Sequence, residues 1–304
     1  MRDLKNQSWI FYAIAAGLSW GVWGVIARLI ADDVTPYMNQ ILFSIGMLGT
    51  VPLVIRKCKT SDLNRRGMMW GLISGIFAIA GNVAVYQAFT NGGLASIVIP
   101  VTNLYPLVTI IIALIALKEK LSGYNIIGIF LAVPAILLLS GQRMLFVKPM
   151  TFINELGLNT WFMLSLAALI AWGVFSACQK ITTNHISAEW SYLVFIVASA
   201  IIATGFLVFG EWQDSLSANS ITLGVIAGAI NGIGVLSSFA AYRSGKASAV
   251  TTIAGSLQPL FTILLAVLFL KEDFTWLEGS GIVLAIGGAL LLSYEKKMEM
   301  KLVS

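Results

Sequence analysis

Ten apolar runs, each long enough to cross a bilayer as a helix, dominate this chain of 304 residues. A helix needs about 20 mainly apolar residues to span the hydrocarbon core. Runs of that kind cover Trp9–Ile30, Tyr37–Ile55, Met68–Thr90, Ile97–Leu117, Tyr124–Gly141, Trp161–Ile181, Trp190–Phe209, Thr222–Tyr242, Ala249–Leu270 and Leu277–Tyr294. Only 11% of the residues are charged, against roughly 25% in a soluble domain, which is too few to clothe a soluble surface. The predicted fold class is an all-α integral membrane protein with ten transmembrane helices, its surroundings the lipid bilayer. The net charge of +5 would hint at nucleic acid in a soluble chain. Here the basic residues sit in short gaps between runs, so orientation in a membrane explains them and no nucleic-acid partner is expected. The first run is too long for a signal-peptide core and lacks a small-residue cleavage site, so it is expected to be retained.

Loop charge sets the expected direction. Arg2 and Lys5 precede the first run, and Arg56, Lys57, Lys59, Arg65 and Arg66 follow the second. Lys118, Lys120, Lys180, Arg243, Lys246, Lys296, Lys297 and Lys301 fall on the same side. The opposite side has Arg28, Arg143, Lys148 and Lys271, with Asp32, Asp33, Glu211 and Asp214. Basic loops stay in the cytoplasm, so both termini are expected there, in a multi-pass protein of the cell membrane. Trp9, Trp70, Trp161, Trp190, Trp212 and Trp276, all near run ends, supply the aromatic belt.

The chain also repeats itself. Sliding Gly67–Ser140 onto Ser220–Ser293 aligns the two without a gap, and about two dozen pairs are identical. They include Gly71/Gly224, Gly75/Gly228, Gly81/Gly234, Pro106/Pro259, Thr109/Thr262, Lys118/Lys271 and Glu119/Glu272. Trp20-Gly21-Val22 matches Trp172-Gly173-Val174 at nearly the same shift, and Arg28 then matches Lys180. Apolar bias alone would align Leu with Ile, not Pro with Pro and Lys-Glu with Lys-Glu. Each half holds five crossings, an odd number, so the halves are expected to lie in opposite orientations. Inverted repeats of this kind belong to alternating-access transporters, with the solute site near midplane where the halves meet. A duplicated scaffold without transport is the plainer alternative.

These features resemble a known group. The Trp20-Gly21 and Trp172-Gly173 starts resemble EamA domains of the drug/metabolite transporter superfamily. So does the block Ala95-Ser96-Ile97-Val98-Ile99-Pro100, Tyr105-Pro106 and Lys118-Glu119-Lys120, echoed by Ala247-Ser248-Ala249, Gln258-Pro259 and Lys271-Glu272-Asp273. The resemblance covers essentially the whole chain. It implies a transporter of small metabolites with a central cavity formed by the first, third, fourth, sixth, eighth and ninth helices. The expected organisation is a first five-helix repeat over 1–141, an extracytoplasmic linker over 142–160, a second repeat over 161–294 and a cytoplasmic tail over 295–304.

Candidate solute-binding residues follow from depth. Pro106 and Pro259 come about ten residues into their runs, roughly 15 Å deep at 1.5 Å per residue. Each removes a donor and is expected to free the carbonyl four residues earlier, at Thr102 and Gly255. Asn103, Tyr105, Ser256 and Gln258 bring polar side chains to that depth. In the third run Asn82, Tyr86 and Thr90 share a face, with Gln87 beside them; Asn231 and Tyr242 stand in the eighth. Such groups either line a cavity or hydrogen-bond between helices. Trp20, Trp23 and Trp172 lie away from the interfaces and either stack on a planar ligand or pack in the core. Arg28 and Lys180 either snorkel to the surface or attract an anion at the mouths of the pathway.

Absences direct the chemistry too. No Asp or Glu falls in the interior of a run, Glu119, Glu189, Glu272 and Glu278 sitting at ends, and the single histidine, His185, falls in a loop expected on the cytoplasmic side. Without a Walker or dinucleotide glycine motif, an Asp-rich pair or a His cluster, neither an enzyme nor a cofactor or metal site is expected. Cys58 in a basic loop and Cys178 inside a run argue against a disulfide. The lining suits a small neutral or zwitterionic organic molecule, amino acids first, sugars or nucleobase-like solutes second.

Overall fold

A computed structural model places residues 8–117, 123–139, 159–210, 213, 215–245 and 247–292. The Lys118-Glu119-Lys120 block, most of the linker expected over 142–160 and the tail over 295–304 lie outside these described residues, as do several loop charges counted above.

The described residues are helical, without a strand. α1 (Ser8–Leu29) is one rod, whereas the second run divides into α2 (Pro36–Leu48) and α3 (Val51–Ile55). The Thr35 side chain caps α2 by accepting the Met38 N–H, with Pro36 in the first turn, where its missing donor costs nothing. α4 (Arg65–Thr90) begins at Asn64, whose side chain accepts the Arg66 and Gly67 N–H groups. α5 (Ala95–Thr102) and α6 (Pro106–Leu117) follow, then α7 (Gly123–Leu139). The second half contains α8 (Thr160–His185), α9 (Ala188–Phe209), α10 (Ala218–Ser244), α11 (Ala247–Leu265) and α12 (Trp276–Leu292). Ser187 caps α9 and Ser217 caps α10. α11 continues through a π-helical turn, Ala266–Leu270, and stops at Lys271, whose φ of 53° is left-handed.

Among the described residues, seven helical segments are long and apolar enough to cross a membrane, taking α2 with α3 as one and α11 with its π turn as one. Three shorter apolar stretches, 95–109, 126–135 and 276–291, fall in the remaining runs. Phe209 is 89% exposed and Trp276 87%, with Phe11, Phe130 and Phe269 also facing outward. An apolar exterior of that extent, on helices long enough to span a bilayer, suits lipid. This is a multi-pass membrane protein.

The two prolines behave differently, which corrects one expectation. Pro106 does not kink a continuous helix: α5 ends at Thr102, Asn103 to Tyr105 form a turn, and Pro106 opens α6. The Thr102 carbonyl is therefore not freed. It accepts the Tyr105 N–H at 3.1 Å. Pro259 does lie inside a continuous helix, α11.

Glycines decide which helices touch. A Cβ on Gly81 of α4 would fall on the Trp172 ring of α8, and one on Gly234 of α10 would press on the Trp20 ring of α1. Without side chains there, the indoles can come close to the facing backbone. α4 thus packs along α8, α1 along α10 and α11, and α7 along α12.

Candidate functional site: a central aromatic and amide cavity

Those glycine-indole contacts bring three tryptophans to the middle of the bundle. The Trp23 and Trp172 rings lie 5.8 Å apart between centroids. Both indole N–H groups are occupied by protein: Trp23 Nε1 donates to the Tyr86 hydroxyl at 3.0 Å, and Trp172 Nε1 to the Ala78 carbonyl at 3.3 Å. What these two rings leave for a ligand is faces and edges, not donors.

Around them opens a cavity, about 530 Å³ of empty space when the open solvent at its mouth is counted. Its floor is aromatic, with Trp20, Trp23, Trp172, Phe175 and Phe195. Its polar wall consists of Asn82, Asn231, Gln179 and Gln258, with the hydroxyls of Tyr105, Tyr242 and Ser176. Ala78 and Val235 complete it, and among the described residues no charged one takes part. Gln179 donates to the Ser238 hydroxyl. Among the described residues, the amides of Asn82, Asn231 and Gln258 have no protein partner, although each residue is at most 6% exposed. Buried amides rarely stay unpaired. Here they line the cavity, where a hydrogen-bonding molecule could reach them.

The cavity brings together eight of the twelve expected binding residues: Trp20, Trp23, Asn82, Tyr105, Trp172, Asn231, Tyr242 and Gln258. Four do not line it. Tyr86 stands behind Trp23 as its acceptor. Gln87 turns toward α2 and donates to the Tyr37 hydroxyl at 3.4 Å. Asn103 donates back to the Ile99 carbonyl at 3.0 Å, and Ser256 to Ile253 at 3.4 Å, each on its own helix turn. Arg28 and Lys180 also stay outside. Arg28 pairs with Asp32 at 3.2 Å. Lys180 donates to the Tyr242 carbonyl at 3.1 Å, a cation placed on the carboxyl end of α10.

The six lining residues that sequence reasoning missed are Ala78, Phe175, Ser176, Gln179, Phe195 and Val235. A signal for half of them was present. Ala78, Phe175 and Val235 are the repeat counterparts of Asn231, Trp23 and Asn82.

One end of the bundle is tied shut by polar contacts between loops. Gln213 accepts the Thr35 N–H at 3.0 Å and donates to the Asp33 carbonyl, while the Ser220 hydroxyl donates to the Asp33 carboxylate at 3.2 Å. At the same end Glu272, only 8% exposed, accepts the Ala95 and Ser96 N–H groups, both at 2.9 Å. A carboxylate there satisfies donors and complements the helix dipole of α5.

Residues 7–141 and 159–294 both match the EamA-like transporter family. The chain belongs to that family, within the drug/metabolite transporter superfamily. An uncharacterised protein of Methanocaldococcus jannaschii is 23% identical to this EamA protein over 131 residues, which are 43% of this chain and 95% of that protein. A solved structure, described only as a crystal structure of a protein, superposes with a TM-score of 0.66 over 94% of this chain and 97% of its own, at 17% identity. At that identity the likeness shows the fold alone.

Proposed function

We propose that the protein is a secondary transporter that moves a small uncharged or zwitterionic organic molecule through the central cavity by alternating access. Its ten crossings form two inverted five-helix halves, with both termini in the cytoplasm. It has no catalytic role and takes no cofactor.

Matching helix starts support the inverted halves: α1 and α8 begin at residues 8 and 160, α2 and α9 at 36 and 188, α4 and α10 at 65 and 218, α7 and α12 at 123 and 276. The observation that carries the reading is the lining of the cavity. Ten of its residues fall into five repeat pairs: Trp20/Trp172, Trp23/Phe175, Ala78/Asn231, Asn82/Val235 and Tyr105/Gln258. A chamber built from the same positions of both halves sits on the axis relating them, the one place whose surroundings survive an exchange of inward and outward states. Three unpartnered amides and a set of indole faces then supply hydrogen bonds and stacking without a fixed charge. That composition favours amino acids or related metabolites; sugars and nucleobase-like solutes suit the amides but use less of the aromatic floor.

A thermal-shift and proteoliposome-uptake screen across amino acids, sugars and nucleobases tests this, repeated with Trp20→Ala and Asn82→Ala. A stabilising solute whose effect both variants weaken supports the reading. A solute whose binding and uptake ignore both variants overturns the cavity assignment. Uptake should also stay the same with and without a pH gradient, since among the described residues no carboxylate or histidine lines the chamber.

A further inference from the structure

The cavity has four residues left over from the pairing, and all four lie toward the same end of the bundle. Ser176 and Gln179 follow Trp172 along α8, Phe195 lies in the first half of α9, and Tyr242 is near the end of α10. This is the end at which α1 begins, opposite the one closed by Gln213 and Glu272. Their repeat counterparts are Gly24, Ala27, Phe43 and Phe89. Ala27, Phe43 and Phe89 are 0% exposed and packed in one apolar cluster. Gly24 faces Ile99 of α5, the half-helix whose first turn Glu272 holds.

We propose that the pathway has a second vestibule, closed in this structure, lined by Gly24, Ala27, Phe43 and Phe89 and covered by α5. It rests on the reading of the halves as inverted counterparts. When the bundle turns to its other face, this vestibule opens as the one beside Gln179 closes. The two differ in chemistry. The vestibule seen here offers an amide and two hydroxyls. The second offers two phenyl rings, a methyl and a bare backbone, so it touches the apolar part of the solute and gives its polar groups no partner. A polar solute is therefore held more weakly from that side and leaves more readily toward it. Glu272 is the clamp: loosening it releases α5 from Gly24 and lets the second vestibule open.

Cysteine accessibility tests this on the full-length protein in proteoliposomes, with Cys58→Ser and Cys178→Ala as background. Ala27→Cys, Phe89→Cys and Gln179→Cys are each reacted with a water-soluble maleimide, with and without Glu272→Gln. The glutamine substitution is expected to raise labelling at positions 27 and 89 several-fold and to lower it at 179. Protein that remains monodisperse but gives no labelling at 27 and 89 in either background overturns the second vestibule. Uptake is measured on the same vesicles. Transport with silent 27 and 89 sinks the vestibule alone, whereas reciprocal labelling without uptake of any screened solute supports the vestibule and sinks the transport reading.

Discussion

Tyr86 illustrates how one hydroxyl governs a tryptophan. It is 1% exposed and its recorded side-chain partner is the Trp23 N–H. Trp23→Phe would leave that hydroxyl buried and unpaired, which costs on the order of 1–3 kcal/mol on top of the lost ring contacts. Adding Tyr86→Phe removes the orphan, so the double variant is expected to recover part of the thermal stability that Trp23→Phe loses. Melting in detergent checks it, and a double variant less stable than either single one would sink the account. Cys58 gives a second prediction at this scale. Burial, with Glu189 and Asp62 nearby, pushes its thiol up from its ordinary range. A raised value means less thiolate at any given pH, so Cys58 should alkylate more slowly at neutral pH than an ordinary thiol and speed up as the pH rises. Glu189→Gln should bring the rate profile to lower pH; a profile unmoved by that change would remove Glu189 as a cause. At this scale the sequence was a partial guide. Trp20, Trp23 and Trp172 stood out because indoles far from an interface need a reason. Gln179 and Ser176 did not, because near the end of a run a small polar side chain is as often a helix joint as a lining.

Helix pairs are where glycine placement becomes energy. Gly81 and Gly234 occupy the same repeat position, yet a Cβ at Gly81 would sink into the Trp172 ring, while one at Gly234 would only touch Trp20 at 3.0 Å. Gly81→Ala is therefore expected to cost about 1–3 kcal/mol by overpacking, and Gly234→Ala less. Thermal unfolding of the two variants under one set of conditions decides it, and equal losses would mean that neither contact is tight. The elements themselves were readable from their apolar runs, since length and hydropathy specify a crossing almost alone. The break between α5 and α6 was not. A proline ten residues into a run predicts a kink, and Pro259 indeed stands inside one continuous helix. In the first half, Asn103 and Tyr105 supply turn hydrogen bonds, so the chain stops at Thr102 and restarts with Pro106 as a first-turn residue. Which of two matched prolines breaks its helix depends on neighbours that differ between the copies.

The assembly of the whole bundle inverts what the sequence suggests about its parts. Two five-helix repeats read like two domains, each with a core of its own. The principal helix contacts instead join one half to the other: α4 with α8, α1 with α10 and α11, α2 with α10, and α7 with α12. The repeat was legible because Gly, Pro and Lys-Glu recur at one offset; the interleaving was not, because apolar periodicity says that a helix buries a face without saying against which partner. It follows that neither half packs alone. Separated chains of residues 1–150 and 151–304, produced together with a tag on one, should copurify and regain the thermal shift given by any solute that stabilises the intact protein. Produced alone, each should aggregate or be degraded, since its glycine faces would have no indole or backbone to meet. A tagged half that purified alone as a folded monomer would mean that each repeat has a core independent of its mate. The shared chamber would then be a seam between two finished domains, and rocking of one half against the other would no longer follow from how the bundle is built.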